Sequence, residues 1–504
     1  MPVRRPSVKD LKAAALHYSL DLTDEEATVF CRLIDGAFRS LDRVDQMVEP
    51  KLPVRYPRTG GWRPALEENP YGAWAWRCSV KGAPEGPLKG KRIALKDVVA
   101  VAGVPLTNGT RVMEGFIPDI DASIVTRILD AGGEIVGKAM CTSSSLSAGS
   151  HNSYPWGVVN PRKPGYQAGG SSSGSAALVA LGEVDMATGG DQGGSIRIPA
   201  SLCGVVGMKP TFGLVPYTGC LSNEWTVDHV GPMTSTVADC ALLLEVMAGP
   251  DGLDPRQAEV PAGLPSYMSE LNGSVKGLRI GVVSEGFGWP APFHSDPAVD
   301  DIVRSAAGRF QQLGAEVQEV SMPMHRDGIH IWRSMRLEGT WATIAQDPGN
   351  GHGWFNYYDT HLVDFYGQAR RARANDFSPG VKMWLLQGHY LASRYHGHYY
   401  AKAQNLRRVL KAAYDKTLEQ VDILLMPTTP KAAAPLKEGL TLAEHISEGF
   451  EYTPNNCPSN MTGHPSITLP CGSLDGLPVG LMLTGRHWED DVVLKAAHAF
   501  EQGA

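Results

Sequence analysis

The sequence predicts an α/β fold, a sheet covered by helices, with a helical arm ahead of it. Three observations carry that expectation. From Gly90 onward, short apolar runs of strand length alternate with amphipathic stretches of helix length. Residues 1–85 follow another pattern, first helical and then rich in Pro, Gly and Trp. Glycine, 56 of 504 residues, is about 11% against a usual ~7% and has no collagen period. Such an excess suits backbone that must approach a ligand closely.

Taken in order, Thr23-Asp24-Glu25-Glu26 reads as a capping box, with Thr23 as N-cap and Glu26 at N3. Ala27, Phe30, Ile34 and Phe38 continue it as a helical stripe. Residues 49–87 read as a long connecting arm, so 1–85 is expected as an N-terminal helical arm. Residues 92–96 form an apolar run ending at Lys96 and are expected as a strand. A helix over 123–131 and a strand at 134–136 follow. Residues 141–220 are dominated by Gly and Ser. Residues 278–283 are a strand, 296–313 an amphipathic helix and 316–320 the next strand. Residues 325–420 hold Trp332, Trp341, Trp354 and Trp384 with many Tyr and His, mostly on helical patterns. They are expected as a helical cap inserted in an α/β core made of 86–324 and 421–504. Strand character returns at 421–427.

Composition narrows the function classes. Lys and Arg number 46 and Asp and Glu 53, a formal charge of −7 that offers no electrostatic footprint for nucleic acid. Hydrophobic residues at 43% and charged ones at 20% exclude a largely disordered chain. The eight cysteines contain no CxxC, which argues against a zinc ribbon, a redox dithiol or a dense disulfide framework. The N-terminus has no apolar core of a signal peptide, and no apolar stretch reaches 18 residues, so a cytoplasmic location is expected.

Several familiar sites are missing. There is no HExxH, and His396-Gly397-His398 lacks a carboxylate at a useful spacing, so no metal is expected. Neither GxGxxG nor a Walker A sequence occurs, and Gly349-Asn350-Gly351-His352-Gly353 reads as a turn, so no cofactor is expected. Gly170-Ser171-Ser172-Ser173-Gly174 matches the letters of a nucleophile elbow. That motif needs a strand immediately before it, and residues 160–166 read as loop.

Three segments belong together: Ala94-Leu95-Lys96-Asp97; 168–177 with Gly169-Gly170-Ser171; and 189–200 with Gly189-Gly190-Asp191-Gln192-Gly193-Gly194-Ser195, continued by Cys203-Gly204 to Thr211. Lys96 and Ser171 are 75 residues apart, Ser171 and Ser195 24. In these segments and spacings the chain resembles the amidase signature family from about residue 90 to the end, including 460–466 and 477–480. The N-terminal arm, Asp191-Gln192-Gly193-Gly194 and Gly485-Arg486-His487 are most similar to the actinobacterial amidases that accompany nitrile hydratases. The resemblance implies one large mixed, mostly parallel twisted β-sheet flanked by helices. It implies an amidase cleaving carboxylic amides to acid plus ammonia or amine through a serine acyl-enzyme. Carbamate, anilide, hydrazide or ester hydrolysis stays open, as does, less favoured, a transamidase glutaminase subunit. The expected partners are a small-molecule amide and a second copy in a homodimer, with no nucleic acid and no membrane.

The chemistry explains the residues. An amide carbonyl is a poor electrophile, so the attacking hydroxyl must lose its proton as the bond forms. No His/Asp pair stands near the Gly/Ser block, but a strand ends at a lysine, and a buried lysine can be a base because desolvation disfavours its ammonium form. By resemblance, Ser195 is the nucleophile, Ser171, at a cis peptide, relays the proton, and Lys96 is the base. Gln192, Gly193, Gly194 and Ser195 would offer backbone N–H groups to the oxyanion. Gly170, Leu146 and Trp225 are the candidates for contact with substrate, and an aromatic-lined pocket would favour aryl or branched acyl groups. Asp191 and Arg197 flank the nucleophile as a general acid and a charged clamp, or as a structural pair. Ser173 stands where the family usually has Gly, and would carry strain if that position needs a positive φ.

Overall fold

The computed structural model describes residues 3–346 and 355–503; the Gly349–Gly353 turn and Trp354 lie outside them. The chain divides into two compact units, Met1–Leu52 and Pro53–Ala504. The first holds helices Val8–His17 and Asp24–Asp45, each opened by a capping box, Ser7 with Asp10 and Thr23 with Glu26. Arg5 ties the segment ahead of the first helix to the second helix through Asp35 at 3.1 Å and Asp42 at 2.5 Å. Of the expected stripe only Ala27 is buried; Ile34 and Phe38 are half-buried and Phe30 is exposed.

The second unit is built on one sheet. Among the described residues it has eleven strands: β1 Trp74–Lys81, β2 Arg92–Lys96, β3 Glu134–Ala139, β4 Met186–Asp191, β5 Val206–Lys209, β6 His229–Thr234, β7 Arg279–Val283, β8 Glu316–Val320, β9 Ile423–Pro427, β10 Ser466–Leu474 and β11 Leu477–Thr484. Their order is β1-β3-β2-β4-β6-β5-β10-β11-β9-β7-β8. The sheet is mixed, as expected. Its parallel pairing is confined to two blocks, β3-β2-β4 and β9-β7-β8. The other six pairings, between and beside those blocks, are antiparallel, so antiparallel neighbours outnumber parallel ones by six to four. The β10–β11 hairpin, turning at Asp475-Gly476, imposes that direction locally. Helices cover the sheet, and Ser173–Ala180 is buried along all but its last residue: Gly174 permits it, since a Cβ there would lie 2.3 Å from Ala73 O.

One boundary differs from expectation. The first unit ends at Leu52, not near 85, because β1 pairs with β3 and buries Trp74, Ala75, Cys78 and Val80 in the second unit. The Pro- and Gly-rich flanks conceal that strand in the sequence. Helices Met324–Trp341, Thr360–Ala372, Pro379–Tyr395 and His398–Gln420 stand between β8 and β9 in the chain, where the cap was expected. They pack within the second unit: buried His325 bonds Tyr414 at 2.8 Å and Asn455 at 3.0 Å. No helix among the described residues is long and apolar enough to cross a membrane.

Candidate active site

The site forms where parallel β2 and β4 end side by side, because the carboxyl ends of neighbouring parallel strands open onto one edge of a sheet. β2 delivers Lys96, and β4 delivers Asp191 and the Gln192–Ser195 loop. Lys96 is fully buried. Its Nζ donates to Ser171 Oγ at 2.7 Å and lies 3.3 Å from Gly190 O. No carboxylate among the described residues forms an ion pair with it. Asp97, next in sequence, is taken by the Lys138 ammonium at 2.9 Å and by Thr107. Burial therefore pulls the Lys96 ammonium down from its usual range to about 8.

The three consecutive serines separate cleanly. The Gly170–Ser171 peptide is cis, and Ser171 alone of the three meets Lys96. Ser172 Oγ is held by the backbone of Gly190, donating to its O at 3.2 Å and accepting its N–H at 3.1 Å. Ser173 Oγ donates to Gly169 O at 2.5 Å, and Ser173 opens the helix without a positive φ, so the strain considered for it does not arise. The Ser172 N–H bonds Ser195 O at 3.1 Å, tying the two serine segments together. Loop, not strand, precedes Ser171.

Asp191 and Arg197 are a buried structural pair. The guanidinium takes both carboxylate oxygens at 3.0 Å and also bonds Ser459, Asn456 O and Asn460. Burial would raise the Asp191 carboxyl, but the Arg197 charge and Asn460 outweigh it and hold it well below the usual range. Asp191 also accepts the N–H of Gly194 at 2.7 Å and that of Ile196 at 3.1 Å. This corrects the expected oxyanion donors: Gly194 N–H is committed to a carboxylate. The N–H groups of Gln192, Gly193 and Ser195 meet no protein acceptor among the described residues. Gly194 keeps another duty, a φ of +116° in which a Cβ would lie 2.6 Å from Asn456. A Cβ on Gly193 would lie 2.5 Å from Trp332 Cζ2.

Ser195 opens onto a small chamber of about 30 Å³ that Leu146, Gln192, Ile198, Trp332 and Arg336 also line. Trp332 Nε1 donates to Gln192 O at 2.6 Å and fixes the cap against the loop. Trp384 and Phe450, stacked with centroids 6.4 Å apart, line both this chamber and an outer cavity of about 590 Å³. Leu146 is thus placed with Ser195. Gly170 and Trp225 do not line the chamber: a Cβ on Gly170 would lie 2.7 Å from Ser147 O, and Trp225 packs under Arg256, 5.0 Å from its ring. Arg336 and Phe450 were not legible as site residues, because neither lies in a motif segment.

Among the described residues, Asp415, His464 and His487 could hold a metal ion. Asp415 is already bonded to the Lys411 ammonium at 2.8 Å and to His464 at 3.1 Å, and none of the three lines the Ser195 chamber.

A family model described as Amidase matches residues 67–494. An enantioselective amidase of Rhodococcus rhodochrous is 40% identical over 504 residues, covering 98% of this chain and 95% of that one. A glutamyl-tRNA(Gln) amidotransferase subunit of Methanosarcina acetivorans is 37% identical over 431 residues, 85% of this chain and 87% of that one. The crystal structure of a bacterial aryl acylamidase belonging to the amidase signature enzymes superposes with a TM-score of 0.70 at 27% identity, over 84% of each chain.

Proposed function

The chain belongs to the amidase signature family, and on that premise we propose that Lys96, Ser171 and Ser195 are its catalytic triad. The protein is a hydrolase of amide C–N bonds. The observation that carries the triad is the 2.7 Å contact between a fully buried, carboxylate-free lysine and Ser171. Neutral Lys96 takes the Ser171 proton, Ser171 takes that of Ser195, and Ser195 Oγ attacks the amide carbon. The N–H groups of Gln192, Gly193 and Ser195 receive the oxyanion. The proton returns along the same path to the leaving nitrogen, and the C–N bond breaks. Water, deprotonated by the same relay, then releases the acid from the acyl-enzyme. No step calls for a metal.

Replacing each relay candidate tests this. Ser171→Ala is expected to lower kcat by on the order of 10³-fold or more, because it cuts the proposed proton path. Ser172→Ala is expected to keep measurable turnover, since its hydroxyl serves the Gly190 backbone. Steady-state kinetics on one neutral amide decides; near-normal kcat for Ser171→Ala with Ser172→Ala dead contradicts the assignment.

Leu146, Ile198, Trp332, Trp384 and Phe450 around Ser195 support a preference for aromatic or branched apolar acyl groups. A substrate reaching Ser195 from the outer cavity passes Trp384 and Phe450. The full-length match to an amidase, arm included, favours a self-contained enzyme over a transamidase component. The first unit leaves Leu11, Tyr18, Phe30 and Leu33 around an apolar groove of about 280 Å³, which supports a homodimer closed by a second copy. Sedimentation of the full chain is expected to give twice the chain mass; a single-chain mass contradicts it. Eight free thiols support a reducing, cytoplasmic setting.

A further inference from the structure

Arg336 has no task in the chemistry above, yet it lines the chamber that holds Ser195. It stands one helical turn beyond Trp332 on Met324–Trp341, so both face the same way. It is 2% exposed, and its Nε and Nη1 have no hydrogen-bond partner among the described residues. Trp332 and Trp384 flank the guanidinium, each with its ring centre 5.8 Å away. A buried donor without an acceptor is costly, and one that lines the chamber holding Ser195 is placed to meet what binds there.

The neighbouring carboxylates do not fill that role. Asp228 accepts Ser222 Oγ at 2.5 Å and the Asn223 N–H at 3.0 Å. Glu224 accepts Thr226 N–H and Oγ1 at 3.0 and 2.7 Å and the Tyr400 hydroxyl at 3.3 Å. Neither forms an ion pair with Arg336 among the described residues. Both act on its charge from a distance, as does Tyr217, while burial pushes the guanidinium below its usual range. The charge is therefore opposed, but the donors are unused. A carboxylate bound to Arg336 would be opposed from a distance by Asp228 and Glu224, whose charges already act on the guanidinium. An uncharged acceptor would take the hydrogen bonds without that repulsion.

We propose that Arg336 is a hydrogen-bond donor subsite of the acyl chamber, selecting amides whose acyl group carries an uncharged acceptor such as a ring nitrogen or an ether or carbonyl oxygen. The inference rests on the amidase reading and deepens it. The guanidinium is buried from bulk solvent, and a charge-assisted bond there outweighs the acceptor's own desolvation.

Benzamide and its three pyridine isosteres, picolinamide, nicotinamide and isonicotinamide, differ only in one neutral acceptor. kcat/KM is measured for all four with wild type and Arg336→Met. For at least one isomer the ratio to benzamide is expected to fall about tenfold or more in the variant. Ratios taken within each enzyme cancel the active fraction, and comparing them between wild type and variant cancels the electronic effect of the ring nitrogen. Unchanged ratios for all three isomers overturn the proposal. Calorimetry on Ser195→Ala protein covers a variant that does not fold: one isomer is expected to bind about tenfold tighter than benzamide, and equal or weaker binding of all three overturns the proposal. Tighter binding of the monoamides of benzenedicarboxylic acids than of all three isomers overturns the uncharged class. Absence of benzamide turnover by wild type counts against the amidase reading instead, and the calorimetric arm still decides the subsite.

Discussion

Ser195→Ala is expected to lower kcat on a neutral amide by on the order of 10⁴-fold or more while the fold stays intact. The size follows from the loss of the covalent route: without Oγ no acyl-enzyme forms, and only binding and the oxyanion donors remain. The fold should survive because Ser195 contributes its backbone, not its hydroxyl, to the bonds that order the loop. Its O accepts from Ser172 N–H, while Asp191 secures Gly194 and Ile196 on either side. Circular dichroism and melting temperature close to wild type, with turnover lost, is the expected pair of results. Retained turnover contradicts the nucleophile assignment.

Lys96→Met is the second large effect. It keeps the length of the side chain and removes the proton acceptor, so kcat/KM is expected to fall by on the order of 10³-fold or more. The sign of the wild-type pH dependence follows from the same group. Below about 8 the Lys96 nitrogen carries its proton and cannot take another from Ser171. Above that value it is free to do so. For a neutral amide, kcat/KM should therefore rise with pH through the neutral range, bend near 8 and then level. The midpoint belongs to the lysine–serine group as a whole. In Lys96→Met the residual rate should lose this ascending limb. An activity that falls through the neutral range in wild type would require a protonated acid in the first step.

How far the sequence foretold this molecule depended on what kind of feature was being read. β2 was legible to the residue because an apolar run of strand length with a clear end needs only local chemistry, and β8 because it follows an amphipathic helix in a β-α-β alternation. β4 was not, because its Gly189-Gly190 hides strand character and serves the site instead: a Cβ on Gly189 would lie 2.7 Å from Ile196. The proposed triad residues stood out through spacing and resemblance; β2 and β4 ending together bring Lys96 and the Ser195 loop to one edge, and the loop ahead of Ser173–Ala180 brings Ser171. The oxyanion donors were over-counted at Gly194. Asp191, three residues earlier, was the available signal, since Asp side chains often accept nearby downstream N–H groups. Trp225 and Trp332 show the opposite limit. Both are buried tryptophans, one packed under Arg256 and the other against the Gln192 carbonyl, and no local pattern separates them. Which aromatic meets the chamber is decided by how the cap helices dock, a long-range matter.

The central claim is that Ser195 forms the covalent bond, driven by Lys96 through Ser171. Intact-mass analysis after treatment with a fluorophosphonate, followed by peptide mapping, tests it most directly. One phosphonyl group per chain, on Ser195, with labelling much slowed in Lys96→Met and in Ser171→Ala, is the expected result. A label on Ser171 or Ser172, or labelling at an undiminished rate when Lys96 is gone, would contradict it.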